Sequence, residues 1–174
     1  SNDPRSYISY KTTNPPIIDG ILEEDVWQEV GWSEPFVDIL GSNGPVPRFQ
    51  TRMKMRWDDE FLYIAGALQE PDVWANVTKH DDVIFHDNDF EVFVDPAGST
   101  HFYKEFEINA INATWDLCLN RPYLNGGYEN SSRTLPSSGW DMPRARSAVH
   151  VEGEVGRPAP PWRQWTVERA LRIR

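Results

Sequence analysis

The sequence predicts an all-β fold, and three observations carry that prediction. Asp89-Phe90-Glu91-Val92-Phe93-Val94-Asp95 and Lys104-Glu105-Phe106-Glu107-Ile108-Asn109-Ala110 alternate with period two, as half-buried strands do. Thr51-Arg52-Met53-Lys54-Met55-Arg56-Trp57 alternates as strictly, and the polar turn Asp58-Asp59-Glu60 joins it to the apolar run from Phe61 to Leu68, which makes a hairpin. The 174 residues include 14 prolines, 11 glycines and 8 tryptophans but few helix-length apolar repeats, a composition suited to short strands and irregular loops. At this length a single domain over residues 1–174 is expected, burying roughly two-thirds of the surface of the unfolded chain.

The elements follow in chain order. Pro15-Pro16-Ile17-Ile18-Asp19-Gly20 reads as an extended piece ending in a turn, because Asp-Gly tolerates left-handed backbone. A short helix is expected from Leu22 to Val30, with Val26, Trp27 and Val30 on one apolar stripe and Trp27 in a structural role. After the hairpin, Glu70-Pro71-Asp72 stops the strand, and Val73 to Asn88 forms a long polar loop of the kind that carries binding groups over a rigid sheet. The strand Thr114 to Leu119 follows the alternating pair, Asn120 to Gly139 is a loop, and Ala145 to Glu152 and Trp165 to Ile173 are two further strands. Cys118, flanked by Leu117 and Leu119, reads as a core thiol, and a lone cysteine excludes both an internal disulfide and a cysteine-rich zinc site.

Function is sought on the polar face of the alternating pair. If Pro96 to Thr100 turns the chain, the strands are antiparallel neighbours, and Asp89, Glu91 and Asp95 meet Glu105, Glu107 and Asn109 on one face. A solvated sheet side would look similar, but closely spaced carboxylates repel unless a cation, a basic group or a hydroxyl-rich ligand lies between them. With 17 basic against 27 acidic residues the net charge is −10, which excludes a nucleic-acid surface and disfavours anionic membranes. No apolar run approaches the roughly 20 residues of a membrane span, so no membrane insertion is expected, and Ser1-Asn2-Asp3-Pro4 is no signal peptide, so the chain reads as a mature or excised domain. The acids are compatible with bound calcium, an oxygen-liganded ion. Sequons at Asn76, Asn112 and Asn130 would accept glycans in a eukaryotic secreted protein.

The order Pro16-Ile17-Ile18-Asp19-Gly20, Asp25-Val26-Trp27, Trp57-Asp58-Asp59-Glu60-Phe61-Leu62-Tyr63, Asp87-Asn88-Asp89-Phe90-Glu91-Val92-Phe93-Val94-Asp95-Pro96 and Phe106-Glu107-Ile108-Asn109, continued by Trp115-Asp116 and Trp165-Thr166-Val167-Glu168, resembles family 9 carbohydrate-binding modules. The resemblance covers most of the chain. It implies an immunoglobulin-like antiparallel β-sandwich, distantly akin to the DOMON domains, that is non-catalytic, secreted or cell-surface and appended to a larger glycan-active protein. It further implies a glucan- or xylan-type chain end held between two aromatic rings, with calcium bound structurally. On that comparison Glu91 matches the sheet carboxylate that contacts the sugar and Asn109 the amide on the next strand. Phe85 stands near the first sandwiching aromatic, with Trp74 of the same loop as its substitute. Glu107 lies where a basic residue is found, which leaves Glu91 and Glu107 facing each other, a pair that repels unless a proton or cation is shared. Members of the family continue beyond the position of Arg174 with strands that supply the second aromatic; a truncated piece and a shortened variant both fit, and Trp140 and Trp162 are candidate replacement rings.

Rival readings remain open at the level of sequence. His80, His86 and His101 with Asp87 or Asp89 suit zinc or iron, and a haem would need Met53 or Met55 with His101. Glu91 and Glu107 as a glycosidase pair would need carboxyls roughly 5 to 9 Å apart. A structural or interaction sandwich that has lost its sugar site is the third class.

Overall fold

The computed structural model describes residues 5–173; the chain start at residues 1–4 and its end at residue 174 lie outside the described residues. In chain order its elements are β1 (Tyr10–Lys11), α1 (Asp25–Gln28), β2 (Thr51–Trp57), β3 (Phe61–Gln69), β4 (Asp89–Val94), β5 (Tyr103–Asn109), β6 (Thr114–Leu119), β7 (Glu129–Asn130), β8 (Arg146–Val151) and β9 (Gln164–Arg172). Single 3₁₀ turns lie at Gly41–Asn43, Ile84–His86 and Tyr123–Asn125. The described residues divide into two compact units, one holding the chain up to Pro71 with Ala145–Glu152 and the chain from Ala159 onward, the other holding Asp72–Arg144 and Gly153–Pro158.

The first unit carries a five-stranded sheet in the order β1-β2-β3-β9-β8. The expected hairpin is present, with β2 and β3 antiparallel from Thr51↔Leu68 to Trp57↔Leu62. Not every pair is antiparallel as expected, because the two-residue β1 runs parallel to β2 through Tyr10↔Arg56 and Lys11↔Trp57. The long connection through α1 is what permits that parallel pairing.

The helix is one turn rather than the expected Leu22 to Val30, and β2 supplies the reason. Lys54 and Arg56, which strand alternation would place in solvent, are instead buried. Lys54 Nζ donates to Trp27 O at 2.5 Å and Arg56 Nη1 to Val26 O at 2.8 Å. Side chains of the sheet thus take the carbonyls that a second helical turn would have used. Val26, Trp27, Tyr63, Ala65 and Ala170 form the core between helix and sheet.

Glu168 on β9 closes this core. Its carboxylate accepts from the Asp19 and Gly20 amides at 3.0 and 2.7 Å and from the Trp27 indole at 2.7 Å. Gly20 has φ +85°, and a Cβ there would fall 2.7 Å from the Val149 and His150 backbone, so only glycine fits the turn that brings these amides to Glu168. Burial raises the pKa of Glu168 and the three donors oppose that rise.

The second unit carries the sheet β4-β5-β6-β7, antiparallel throughout. The alternating pair is realised as β4 and β5, and Thr114–Leu119 as β6 with the expected bounds. The segment expected to be a loop from Asn120 to Gly139 contributes β7, which pairs Glu129 with Leu119 and Asn130 with Cys118. Cys118 itself is half-buried, not a core thiol. Leu117 and Leu119 are buried, but period two turns them to the face opposite Cys118.

Replacing Glu168 by Ala leaves three buried donors without an acceptor, and a loss of about 3 kcal/mol of unfolding free energy is expected in urea titrations, with the m value unchanged. Glu168→Gln, which keeps one acceptor oxygen, is expected to lose less.

Candidate functional site

The register of β4 and β5 sets the geometry of the site. Asp89 pairs with Asn109, Glu91 with Glu107 and Phe93 with Glu105, while β6 places Trp115 opposite Glu107 and Leu117 opposite Glu105. Directly paired residues share a face, so four carboxyls lie together beside an apolar strip. That strip, with buried Ile84, Ala113, Trp115, Leu117 and Leu119, is packed by Val77 and Val83 of the 73–88 segment. The opposite face carries Phe90, Phe106 and Ile108, all buried.

Two buried acids hold the 73–88 segment in place. Asp87 Oδ2 accepts from the amides of Asn76 (2.9 Å) and Val77 (2.8 Å) and from Asn109 Nδ2 (2.9 Å). Asp81 accepts from the Asp116 amide at 3.1 Å and from Ser132 through both its amide and its hydroxyl. Here the structure gives Asn109 another task than the sugar contact expected of it. It is fully buried; Nδ2 also donates to Val77 O at 2.8 Å, and Oδ1 accepts from the Ile111 and Ala113 amides at 3.2 and 2.9 Å. Two donors and two acceptor sites are all the amide has, so Asn109 positions the loop.

Phe85 sits on this pinned segment with its ring 54% exposed. Its amide donates to Glu107 Oε2 at 3.1 Å, and its ring lies 6.0 Å from Trp115. Trp115 is in turn held by its indole bond to Glu129 and by the Arg133 guanidinium 4.9 Å above its ring. Glu91 is exposed, Trp74 is exposed on the same loop as Phe85, and Glu107 is only 1% exposed. Asp89 and Glu105 lie on the face where the alternation put them, and Phe93 joins them as a residue not singled out from the sequence for the site. Phe93 is exposed one step beyond Glu91 on the same face, and its ring lies 6.3 Å from Tyr103. The alternation that put Phe93 among the acids was the available signal.

The electrostatics of the four carboxyls are unusual. Burial, then the charges of Asp89, Glu91 and Glu105, pushes Glu107 up to about 9, against which the Phe85 amide acts weakly. Asp89 is raised to about 7 by burial and by Glu91, Glu105 and Asp87. Glu105 is raised to about 7 by burial and Glu91, and burial raises Glu91 as well. Asp89 Oδ2 is enclosed and has no hydrogen-bond partner among the described residues. Carboxylate oxygens of Asp89, Glu91 and Glu107 come within 4.8 Å of one another, a donor set that suits a hard, oxygen-liganded dication. Glu107, one member of the glycosidase pair considered from the sequence, is closed to solvent.

The other candidates are dispersed. His80 bonds Thr114 Oγ1 at 3.0 Å, His86 packs edge-on against Phe85, and His101 bonds the Ser99 carbonyl of its own turn, so the rival reading of a histidine metal site finds no such cluster among the described residues. Met53 and Met55 belong to one unit and His101 to the other. Trp140 packs against Phe106 at 5.9 Å and is a packing residue. Trp162 is exposed and belongs to the first unit.

The family model for the carbohydrate family 9 binding domain-like family matches residues 18–116, more than half of the chain, a span that holds Trp74, Phe85, Asp89, Glu91, Glu105, Glu107 and Asn109. The chain belongs to that family. A family 9 carbohydrate-binding module from Caldicellulosiruptor kristjanssonii in complex with cellotriose is similar at 18% identity and a TM-score of 0.58, over 95% of this chain and 67% of that one. Its complex with glucose gives 18% identity and 0.58 over 94% and 68%. A chain from Bacteroides uniformis, named as a candidate carbohydrate-binding protein, gives 15% identity and 0.63 over 95% and 71%. No curated protein matches the sequence. At these identities the solved structures establish the fold, which is the all-β sandwich expected of a family 9 domain with a short helix before β2. No helix among the described residues is long and apolar enough to cross a membrane.

The raised carboxyls of this family 9 domain give its stability a definite pH dependence. Between the ordinary carboxyl range near 4.5 and the folded values of about 7 to 9, the folded state binds more protons than the unfolded one, so stability falls as pH rises through that window. Thermal melting in metal-free buffer is expected to give a higher Tm at pH 5 than at pH 8.5. Glu107→Gln, neutral at both, is expected to flatten the slope and to raise the Tm at pH 8.5.

Proposed function

We propose that the chain is a non-catalytic carbohydrate-binding module that takes a mono- or oligosaccharide, of glucan or xylan chain-end type, on the β4–β5 face. The observation that carries this reading is an exposed aromatic ring, Phe85, whose backbone is tied to Glu107 beside the exposed carboxylate of Glu91. Sugar C–H faces stack on aromatic planes, and carboxylates accept directional, charge-assisted bonds from hydroxyls. Phe85 supplies the plane, with Phe93 and Trp74 as further exposed rings of the same unit, and Glu91 supplies the acceptor. Asn109 and Asp87 act through the loop they hold rather than on the sugar.

Glu107 stands where a basic residue would otherwise balance Glu91, and the proposal includes calcium in that role. Asp89, Glu91 and Glu107 would hold the ion through oxygens that already lie close together. When bound, calcium supplies positive charge to a cluster that otherwise neutralises itself with protons. The proposal extends to a domain that works outside the cell or on its surface as part of a larger glycan-active protein, a reading that membership of family 9 supports.

Tryptophan fluorescence titration with glucose, cellobiose and xylo-oligosaccharides, each with calcium and with chelator, tests the reading. Saturable quenching by one sugar class, weakened by chelator, is expected. Glu91→Gln removes a charge-assisted acceptor, worth about 1.5–3 kcal/mol, and is expected to weaken binding roughly ten- to a hundredfold in a protein that still folds. Phe85→Ala is expected to cost about tenfold. A flat response to every sugar would instead mean a structural sandwich without a ligand site.

A further inference from the structure

We propose a second saccharide-binding surface in the first unit, where Trp32, Trp162, Gln50, Gln69, Gln164 and Arg52 line one cavity. It rests on the carbohydrate-binding reading but uses none of the β4–β5 residues. The cavity measures about 410 Å³, within the range of small-ligand sites. It forms at the end of the β3–β9 ladder, where Gln69 pairs with Gln164, and Arg52 pairs with Ala67, whose small side chain leaves room.

The two rings are held ready for a ligand. Trp162 is 74% exposed, yet the chain around it is anchored: Gln69 Nε2 donates to Pro161 O at 2.7 Å, the Arg163 amide to Pro160 O at 2.9 Å and the Glu70 amide to Arg163 O at 2.8 Å. Pro158, Pro160 and Pro161 stiffen the same stretch, so ordering on binding costs little. Trp32 is 37% exposed, with the Lys54 ammonium 4.6 Å from its ring centre. Two partly exposed indoles that line one cavity offer a ligand two apolar faces at once.

The polar lining is oriented as firmly. Gln69 Oε1 accepts from the Gln50 amide at 3.2 Å, and Gln164 Nε2 donates to Glu152 Oε1 at 3.0 Å, which fixes both side-chain amides. Arg52 Nε is enclosed and has no acceptor among the described residues. Aromatic planes, fixed amides and one cation suit the C–H faces and hydroxyls of a neutral sugar chain, and offer nothing to a metal or a polycation.

Isothermal titration of the full chain with cellohexaose, xylohexaose and mannohexaose, and with a proline-rich decapeptide, tests the assignment. A stoichiometry of two for one hexaose is expected, falling to one in Trp162→Ala, whose ring takes little part in the core, and to one through loss of the other site in Glu91→Gln. A stoichiometry of one that Glu91→Gln abolishes and Trp162→Ala leaves unchanged overturns this inference while leaving the β4–β5 reading standing. Binding lost only in Trp162→Ala supports the second surface and overturns the β4–β5 reading. Binding of the decapeptide without any hexaose makes the cavity a peptide site and overturns the inference, and binding of no probe overturns both.

Discussion

A loop-rich all-β chain must find acceptors for backbone amides that no ladder satisfies, and here buried carboxylates supply them. Glu168 takes the Asp19 and Gly20 amides, Asp87 those of Asn76 and Val77, and Asp81 those of Asp116 and Ser132. Tryptophan indoles are treated in the same way, Trp27 by Glu168, Trp115 by Glu129 and Trp165 by Glu70. An ionised acceptor gains more from each donor than a neutral one does, which offsets the cost of burying its charge. Part of the chain's acidity is therefore internal structure.

Against that background the β4–β5 carboxyls form a second class. Glu107 has the Phe85 amide, Asp89 Oδ2 has no partner among the described residues, and the group mainly meets itself. Burial and the charges of the neighbouring carboxyls drive this cluster toward its protonated forms, whereas the donors around Glu168 oppose the same drift. Such a cluster stores unmet demand for positive charge or for hydroxyl donors. That demand is what supports the proposal of a ligand on this face.

Rigid loops serve both proposed surfaces. The 73–88 segment is long enough to be mobile, yet Asp81, Asp87, Asn109 and the buried Ile84 fix it, so Phe85 is presented with little entropy left to lose. The loop carrying Trp162 reaches the same result through prolines and carbonyl contacts. In each case the ring is exposed because its backbone, not its side chain, is what packs.

Strands β2 to β6, β8 and β9, their order along the chain and the antiparallel pairing of β4 with β5 were legible in the sequence, because period-two alternation and turn residues are local signals, whereas the two-residue β1 and β7 are too short to carry one. The gathering of Glu91 and Glu107 on one face followed from that pairing, and Trp27 was rightly read as structural. Only the tertiary structure decided that Asn109 is spent on the loop and that Lys54 and Arg56 turn inward to end the helix. It alone brought Arg52, Gln69 and Gln164 together with Trp32 and Trp162. Each of those outcomes depends on partners tens of residues away, and hydrogen-bond capacity is assigned only when such partners arrive; alternation says which way a side chain points but not what it meets there.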